Sequence, residues 1–486
     1  MLVSLYTSRI ILNILGVEDF GIYNVVGGVV VMLGFINSAM SASTQRFLSF
    51  EIGRNDLLQL KRVFSTCVNI HFIVAIIVLL IAETIGLWFL NTQMNIEAER
   101  MNAANWVYQF SVITFIINII SVPYQALIIS HESLSIYSLL NILETLFKLF
   151  IVFVLQWVDM DKLKLYAILT ALVTLLVRLS YKMYCDYKYS YCYYSKIWDK
   201  GLMKEMGGFV NWNLLGAFAG VTYNQGVNIL INVFFGVSIN AARAIAFQVQ
   251  SAISSFVVNF QLAVNPALTK SYAREDTNYM YSLIFKGTKF SFYLLLCLAA
   301  PVILETELVL TLWLKIVPDY AVLFTQLVLI DSLIGSLSGF IQTMVQASGR
   351  VKVYQIIVSG ILLLNLPVSY LLIKQGSPPQ ITIYVSIFLS ISAMIARLYI
   401  VKKNEKFPVH KFTSKVLLPI SIVLIAVTAF SYVFKIYNFN SLLNICIIVL
   451  FIMICIVVVG INKNERAFLL SKIKNISGLV NKRGLK

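Results

Sequence analysis

The feature that most constrains this chain is a series of strongly apolar stretches that recurs along nearly its whole length. Crossing a hydrocarbon layer about 30 Å thick takes about 20 helical residues. On that ruler fourteen stretches qualify: about 1–16, 22–48, 63–90, 104–130, 134–157, 163–184, 207–235, 240–269, 288–314, 319–347, 351–373, 380–400, 414–434 and 441–461. The chain is therefore expected to be an all-α polytopic membrane protein. Composition agrees, with 12% charged residues, 59% hydrophobic residues and a mean hydropathy of +0.83. Soluble domains carry about 25% charged residues, so a soluble protein of this length is excluded.

The net charge of +16 would point to nucleic acid on a soluble protein. With fourteen spans, alternate loops fall on one side, and the basic residues separate between the two sets. One set holds 28 of them, including Lys61, Arg178, Lys188, Lys204, Arg274, Arg397 and Lys402 and the basic tail 462–486. The other holds six, among them Arg100, Lys162 and Lys315. The positive-inside rule then places the first set, and both termini, in the cytoplasm. The charge is topological, and no nucleic-acid partner is called for. Seven tyrosines between Tyr181 and Tyr194 read as an interfacial aromatic belt. The first span is short, about 16 residues reaching about 24 Å, with no polar or basic lead before Met1. Met1 is accordingly expected to be an internal methionine, with span 1 truncated.

The stretch LGVEDFGIYNVVGG at 15–28 has the glycines of a phosphate cradle, but no strand precedes them and no basic residue follows at the required spacing. It reads instead as an outer-face turn bracketed by Gly16 and Gly21, with Glu18 and Asp19 in water. An offset of 220 pairs Gly16-Val17 with Gly236-Val237 and Arg54 with Arg274; an offset of 217 pairs Gln125 with Gln342 and Tyr137 with Tyr354. Two parallel six-helix halves are expected, about 1–200 and 207–412, followed by two extra helices over 413–461. An even number of spans gives both halves the same orientation, as in many alternating-access transporters.

An ionisable residue at membrane depth costs at least about 2.5–3.5 kcal/mol on insertion scales, so each one needs a reason. Arg9 and Arg243 each lie early in one half with no carboxylate within a helical turn. A guanidinium in a membrane cleft suits a phosphate, whose oxygens accept paired hydrogen bonds. Arg46 near the inner end of span 2 is a third candidate for that role, or it snorkels to the interface. Glu144 and Lys148, at i and i+4, form either a self-neutralising pair or a polar patch on the cavity wall. Asp331 in span 10 is a candidate counter-ion for the arginines, or a proton or cation site. Glu83 in span 3 lies near enough to an end to snorkel. Gln45, Asn224 and Gln225 stand among hydroxyls and amides concentrated in spans 2, 7 and 8. Such groups suit a sugar and also serve as glue between helices. Pro123, Pro266 and Pro367 are expected to kink their helices.

Chemistry beyond binding has little to stand on. The six cysteines are scattered without a CxxC pair, and His71, His131 and His410 lack a second metal ligand at diagnostic spacing. No nucleophile motif is present, so neither an enzyme nor a metal or organic cofactor is expected.

Four stretches in order, LGVEDFGIYNVVGG (15–28), TQRFLSFEIGR (44–54), VPYQALIISHE (122–132) and QASGRVKVY (346–354), resemble the Wzx-type polysaccharide flippases of the multidrug/oligosaccharidyl-lipid/polysaccharide (MOP) exporter superfamily. The resemblance covers about 1–412. It implies a V-shaped cleft lined by cations, with Arg9 at the position of the family's span 1 cavity arginine. It also implies alternating-access transfer of an undecaprenyl-pyrophosphate-linked oligosaccharide from the inner to the outer leaflet of a bacterial cytoplasmic membrane, for surface polysaccharide (O-antigen or capsule) synthesis. A polysaccharide polymerase and a chain-length regulator would be partners, with membrane lipid around the helices. H⁺ or Na⁺ would be a coupling ion, if one is used. Two other readings stand beside it: a cation-coupled multidrug exporter of the same superfamily, and a non-transport scaffold for polysaccharide assembly.

Overall fold

The computed structural model describes residues 2–466 apart from 32, 93, 95, 159, 190–192, 315–316, 436–440 and 463–464. The basic tail beyond 466 lies outside the described residues. Every regular element described is helical. In chain order these are α1 (Leu2–Val31), α2 (Gly34–Arg54), α3 (Leu57–Ile81), α4 (Leu87–Thr92), α5 (Ala98–Ser130), α6 (Leu134–Trp157), α7 (Lys162–Lys188) and α8 (Lys200–Ala273). There follow α9 (Thr277–Leu304), α10 (Thr306–Leu314), α11 (Ala321–Ser336), α12 (Gly339–Ser348), α13 (Val351–Leu363), α14 (Asn365–Lys374), α15 (Ile381–Glu405), α16 (Val409–Phe412), α17 (Leu418–Lys435) and α18 (Ser441–Cys455). Turns of π-helix occupy Ala82–Gly86, Thr413–Leu417 and Ile456–Gly460.

Among the described residues nine helices are long and apolar enough to cross a membrane, ten if the bent pair α11–α12 counts as one span. A shorter apolar helix covers Asn444–Gly460. Spans 2 and 7 of the sequence reading fall short for a physical reason. The helices there carry Asn37, Ser38, Ser41, Ser43, Thr44, Gln45 and Arg46, and Asn211, Asn213, Asn224, Gln225 and Asn228, too much polar surface for a lipid-facing helix. Elsewhere large apolar side chains such as Ile76, Phe150, Leu176, Phe388 and Ile395 point outward, the reverse of a soluble surface.

The helices pack into two compact units. The first comprises Met1–Thr222, Leu262–Thr277 and Thr343–Ser359; the second comprises Tyr223–Gln261, Asn278–Gln342 and Gly360–Lys486. In the first, α5 packs against α1, α2, α3 and α7, burying Val26, Met40, Val78, Ala104, Val107 and Ile119. In the second, Ala242 and Ala246 of α8 pack with Phe324, Val328 and Ile383 of α11 and α15.

The ends follow local chemistry. Asp56, Asp161 and Asp199 each accept a backbone N–H in the first turn of α3, α7 and α8, satisfying donors that a helix start leaves orphaned. Pro123 and Pro266 sit inside α5 and α8. Pro367 stands in the first turn of α14, just after a break at Leu364, where its missing N–H costs little.

The expected two-glycine turn is a one-glycine turn. Gly16 (φ 80°, ψ 171°) breaks α1, whereas Gly21 is helical. Asp19 then receives a two-pronged hydrogen bond from Arg100, which also bonds Asp161 at 3.2 Å. Gly236 (φ 83°, ψ 180°) breaks α8 in the same conformation, one that glycine alone occupies readily. No neighbouring atom would touch a Cβ at Gly236, so the constraint there is the backbone itself. Gly236→Ala should therefore destabilise by about 1–3 kcal/mol without any steric clash, read as a lowered unfolding temperature in detergent.

At the α5–α6 junction His131 stacks on Tyr189 with ring centroids 4.2 Å apart, beside the Lys270–Glu132 ion pair at 2.7 Å. Burial, reinforced by Lys270, pushes its imidazole from 6.5 down to about 4. The unfolded chain then binds the extra proton between these two values, so stability falls as pH drops from about 6.5 toward 4. His131→Gln should flatten the acid limb of the unfolding temperature measured between pH 7 and pH 4.

Candidate functional site

In the first unit a cavity of about 390 Å³ opens between α1, α5 and α7, within the range of about 300–1,000 Å³ typical of ligand pockets. Its polar wall comes from Tyr23, Ser111, Thr114, Asn118 and Thr170, set among Val30, Phe110, Phe115 and Ala167. Ser111, Thr114 and Asn118 are spaced i, i+3 and i+7, which puts them on one face of α5. That spacing is legible in the sequence, and the sequence reading passed over it. Among the described residues no charged group lines the cavity; Tyr23 stacks obliquely on Tyr166 with centroids 4.8 Å apart.

Behind this wall lies Glu144. Its carboxylate pairs with Lys148 at 2.7 Å and with Arg178 at 3.3 Å, while Arg178 donates from Nε to Asn118 Oδ1 at 2.9 Å. Glu144 and Lys148 thus form the expected pair, but within a larger node. Arg178, counted with the loops in the sequence reading, lies inside α7 and locks the node to the cavity wall. Arg397, counted likewise, lies inside α15 and donates to Ser338 at 3.0 Å in the second unit.

Arg46 is committed to structure. It donates to the carbonyls of Gln346 (3.2 Å) and Ala347 (3.1 Å), in the last turn of α12, where a cation satisfies orphan acceptors and opposes the helix dipole. Its guanidinium also packs over the rings of Phe47 and Phe50, 4.4 and 4.9 Å from their centroids. Gln45 is partly buried and its Nε2 has no hydrogen-bond partner. Two of the polar groups of spans 2 and 7 serve as interior glue, one of the two roles open to them: Asn213 donates to Ser43 at 3.2 Å and accepts from Gln355 at 3.1 Å. Glu83 accepts from Gln109 at 3.1 Å. The side chain of Arg9 lies outside the described residues, though its backbone is helical in α1.

The second unit gathers charge. Arg243 is 3% exposed; it donates to Asn228 Oδ1, lies 4.1 Å from the centroid of Phe247, and leaves Nε without a partner. Asn228 in turn donates to Gln225 at 3.2 Å; Asn224 and Gln225 are both exposed. Asp331 is not the counter-ion of Arg243. It accepts from Ser386 at 2.7 Å and has the Ser390 hydroxyl beside it; Ser386 is hydrogen-bonded to Tyr223, and Asp331 Oδ1 makes no close hydrogen bond among the described residues. Tyr223 stands within electrostatic reach of both Asp331 and Arg243. Among the described residues no carboxylate forms an ion pair with Arg243, and no group of His, Cys, Asp and Glu has metal-ligand geometry.

Comparison with known proteins places the architecture. Neither a family model nor a curated protein sequence matches the chain. Solved structures do. The chain has the fold of the MATE transporters of the MOP superfamily. A MATE transporter in its bent conformation aligns with a TM-score of 0.71 at 13% identity, covering 83% of this chain and 92% of that one. A Vibrio cholerae MATE transporter gives 0.68 at 13% identity, over 83% and 93%. A Pyrococcus furiosus MOP superfamily transporter, described as having a binding pocket of reverse polarity that suggests a different function, gives 0.69 at 12% identity, over 82% and 90%. In this MATE-like fold the neutral cavity and the Arg243 cluster lie in separate compact units, and each is built from helix interiors rather than loops.

The Glu144 node makes a specific prediction. Glu144→Gln leaves two cations without a counter-charge and Arg178→Gln frees Asn118, so each should lower stability by about 1–3 kcal/mol, less than a fully buried pair because the site is partly open. The double variant should cost clearly less than the sum of the two in a double-mutant cycle of thermal unfolding.

Proposed function

We propose that this protein is an alternating-access flippase that carries a polyprenyl-pyrophosphate-linked oligosaccharide across a bacterial cytoplasmic membrane, with both termini on the cytoplasmic side. The observation that carries the reading is Arg243: a guanidinium 3% exposed, held among the described residues by an amide and a ring and within electrostatic reach of Tyr223, with one N–H unpartnered. Burying a charge is costly unless something pairs with it. A pyrophosphate is the partner that such a fork accepts in two hydrogen bonds. Arg9 is the second candidate on sequence grounds, and Arg46 is withdrawn from the set because α12 already occupies it. The neutral cavity supplies hydroxyl and amide groups suited to sugar hydroxyls.

Two parallel six-helix halves, as expected from the sequence, would suit transport, and features that recur at the repeat offsets support that reading. Gly16 and Gly236 share one backbone conformation at an offset of 220. So do Asn55 and Glu275, both left-handed, and Glu132 and Gly349 do the same at an offset of 217. The bonds Arg178 to Asn118 and Arg397 to Ser338 recur at offsets of 219 and 220.

A second reading, the cation-coupled drug exporter, draws support from Asp331, whose unpartnered carboxylate oxygen suits a proton or Na⁺, and from a fold neighbour described as a multidrug resistance transporter. The two separate in one experiment. Arg243→Ala should reduce surface polysaccharide in cells by roughly tenfold to a hundredfold, the worth of a charged hydrogen bond or two, with Arg243→Lys intermediate and protein abundance unchanged. Undiminished polysaccharide together with lost drug efflux would move the assignment to the exporter.

A further inference from the structure

A second cavity, of about 320 Å³, lies wholly within the second unit and plays no part in the site above. Four lysines converge on it: Lys286 and Lys289 from α9, Lys411 from α16, and Lys415 from the π-helical turn Thr413–Leu417. Lys289 is 1% exposed and is spent internally, paired with Glu465 at 2.6 Å and donating to the Gly460 carbonyl at 3.2 Å. Lys286, Lys411 and Lys415 are exposed and form no ion pair among the described residues. Glu405 stands within electrostatic reach of Tyr281 on the cavity wall, so two carboxylates face four lysines and positive charge remains in excess.

The floor is aromatic. Tyr281 and Phe285 of the cavity wall pack edge-on against Phe407, at 5.6 and 5.9 Å between centroids. The two π-helical turns next to the cavity, Thr413–Leu417 and Ile456–Gly460, both pack against α17, and exposed apolar side chains follow them closely in sequence or lie within them, at Leu418 and Val458. Two of the three described π-helical turns border the cavity, one through Lys415 and one ending at Gly460; such turns are frequent at functional sites. Lysines over an aromatic floor that opens onto an apolar face match a molecule with a phosphate at one end and hydrocarbon at the other.

We propose that this cavity binds a phosphate-bearing anion, supplied by the headgroup of an anionic phospholipid whose chains run along the Leu418–Val458 face. Lys286, Lys411 and Lys415 hold the phosphate as point charges. Lys289 and Glu465 hold the floor in place. Basic pockets between membrane helices recognise anionic headgroups by this chemistry.

The test uses the purified full chain in detergent, with phosphatidylglycerol, phosphatidylcholine or inorganic pyrophosphate as the probe. Phosphatidylglycerol should raise the unfolding temperature and be retained in native mass spectra, and phosphatidylcholine should do neither. Lys286→Gln, Lys411→Gln and Lys415→Gln should each weaken retention on the order of fivefold. Their combination should abolish it, while Lys200→Gln elsewhere leaves it intact. The single variants decide the matter if the triple variant does not fold. Pyrophosphate that stabilises the wild type but not the Lys415→Gln variant, with phosphatidylglycerol inert, would assign the same lysines to a soluble phosphate. Equal retention of both lipids with no pyrophosphate effect, or retention unchanged in the single variants, would overturn the proposal.

Discussion

A charge placed in hydrocarbon has to be answered, and the interior of this protein is organised by the answers. Glu144 is met by two cations from two helices. Lys289 is met by Glu465 and a carbonyl. Arg46 is met by the carbonyl end of a helix and by aromatic faces. In each case at least one answering group comes from a different element than the charge (Arg178 of α7 for Glu144, Glu465 for Lys289, the α12 carbonyls for Arg46), so the charge also fixes which elements stay adjacent. A lone partner removed leaves the other uncompensated, which costs more than the pair contributes. Against that pattern Arg243 stands apart: its answer among the described residues is an amide and a ring.

The two units meet polar demand in different currencies. The first offers a neutral cavity whose wall is hydroxyl and amide, with its charges held one layer back behind Asn118. The second puts a guanidinium, a carboxylate, a phenol and a hydroxyl within one cluster. The cluster stands where the repeat would put it: Tyr23, Ser111 and Tyr166 of the first unit recur, 220 residues on, as Arg243, Asp331 and Ser386.

Much of the architecture was legible in the sequence because hydropathy and glycine act locally. Apolar runs found the long helices, and Gly236 marked a turn that only glycine makes comfortably. Side-chain partnerships were less legible, because they join residues far apart in the chain. Arg178 sits near the end of its apolar run, and nothing nearby shows that Glu144, 34 residues earlier, draws it into the helix bundle. The role of Asn213 stayed open between lining and glue for the same reason, since its partners Ser43 and Gln355 lie 170 and 142 residues away. The face of Ser111, Thr114 and Asn118 is a different case: its helical spacing was there to be read, but single small polar residues in an apolar helix draw little notice until the cavity beside them is seen.

The polar helices show how such a chain stays inserted. α2 carries enough amide and hydroxyl surface that lipid alone would not hold it, and its polar groups are taken up by packing: Ser43 by Asn213, Ser49 by Ser130 at 2.9 Å, Arg46 by α12. Close approach makes this feasible. The Cα of Lys270 lies 2.7 Å from where a Cβ on Gly53 would stand, so only glycine admits that contact, and Arg274 donates to the Gly53 carbonyl at 2.9 Å. Helices held this tightly keep their polar face out of lipid whether or not a ligand is present. Gln45 Nε2, Asp331 Oδ1 and Arg243 Nε are among the buried polar atoms without a hydrogen-bond partner in the described residues, and a buried group left unpaired carries a desolvation cost that a bound ligand or water can relieve.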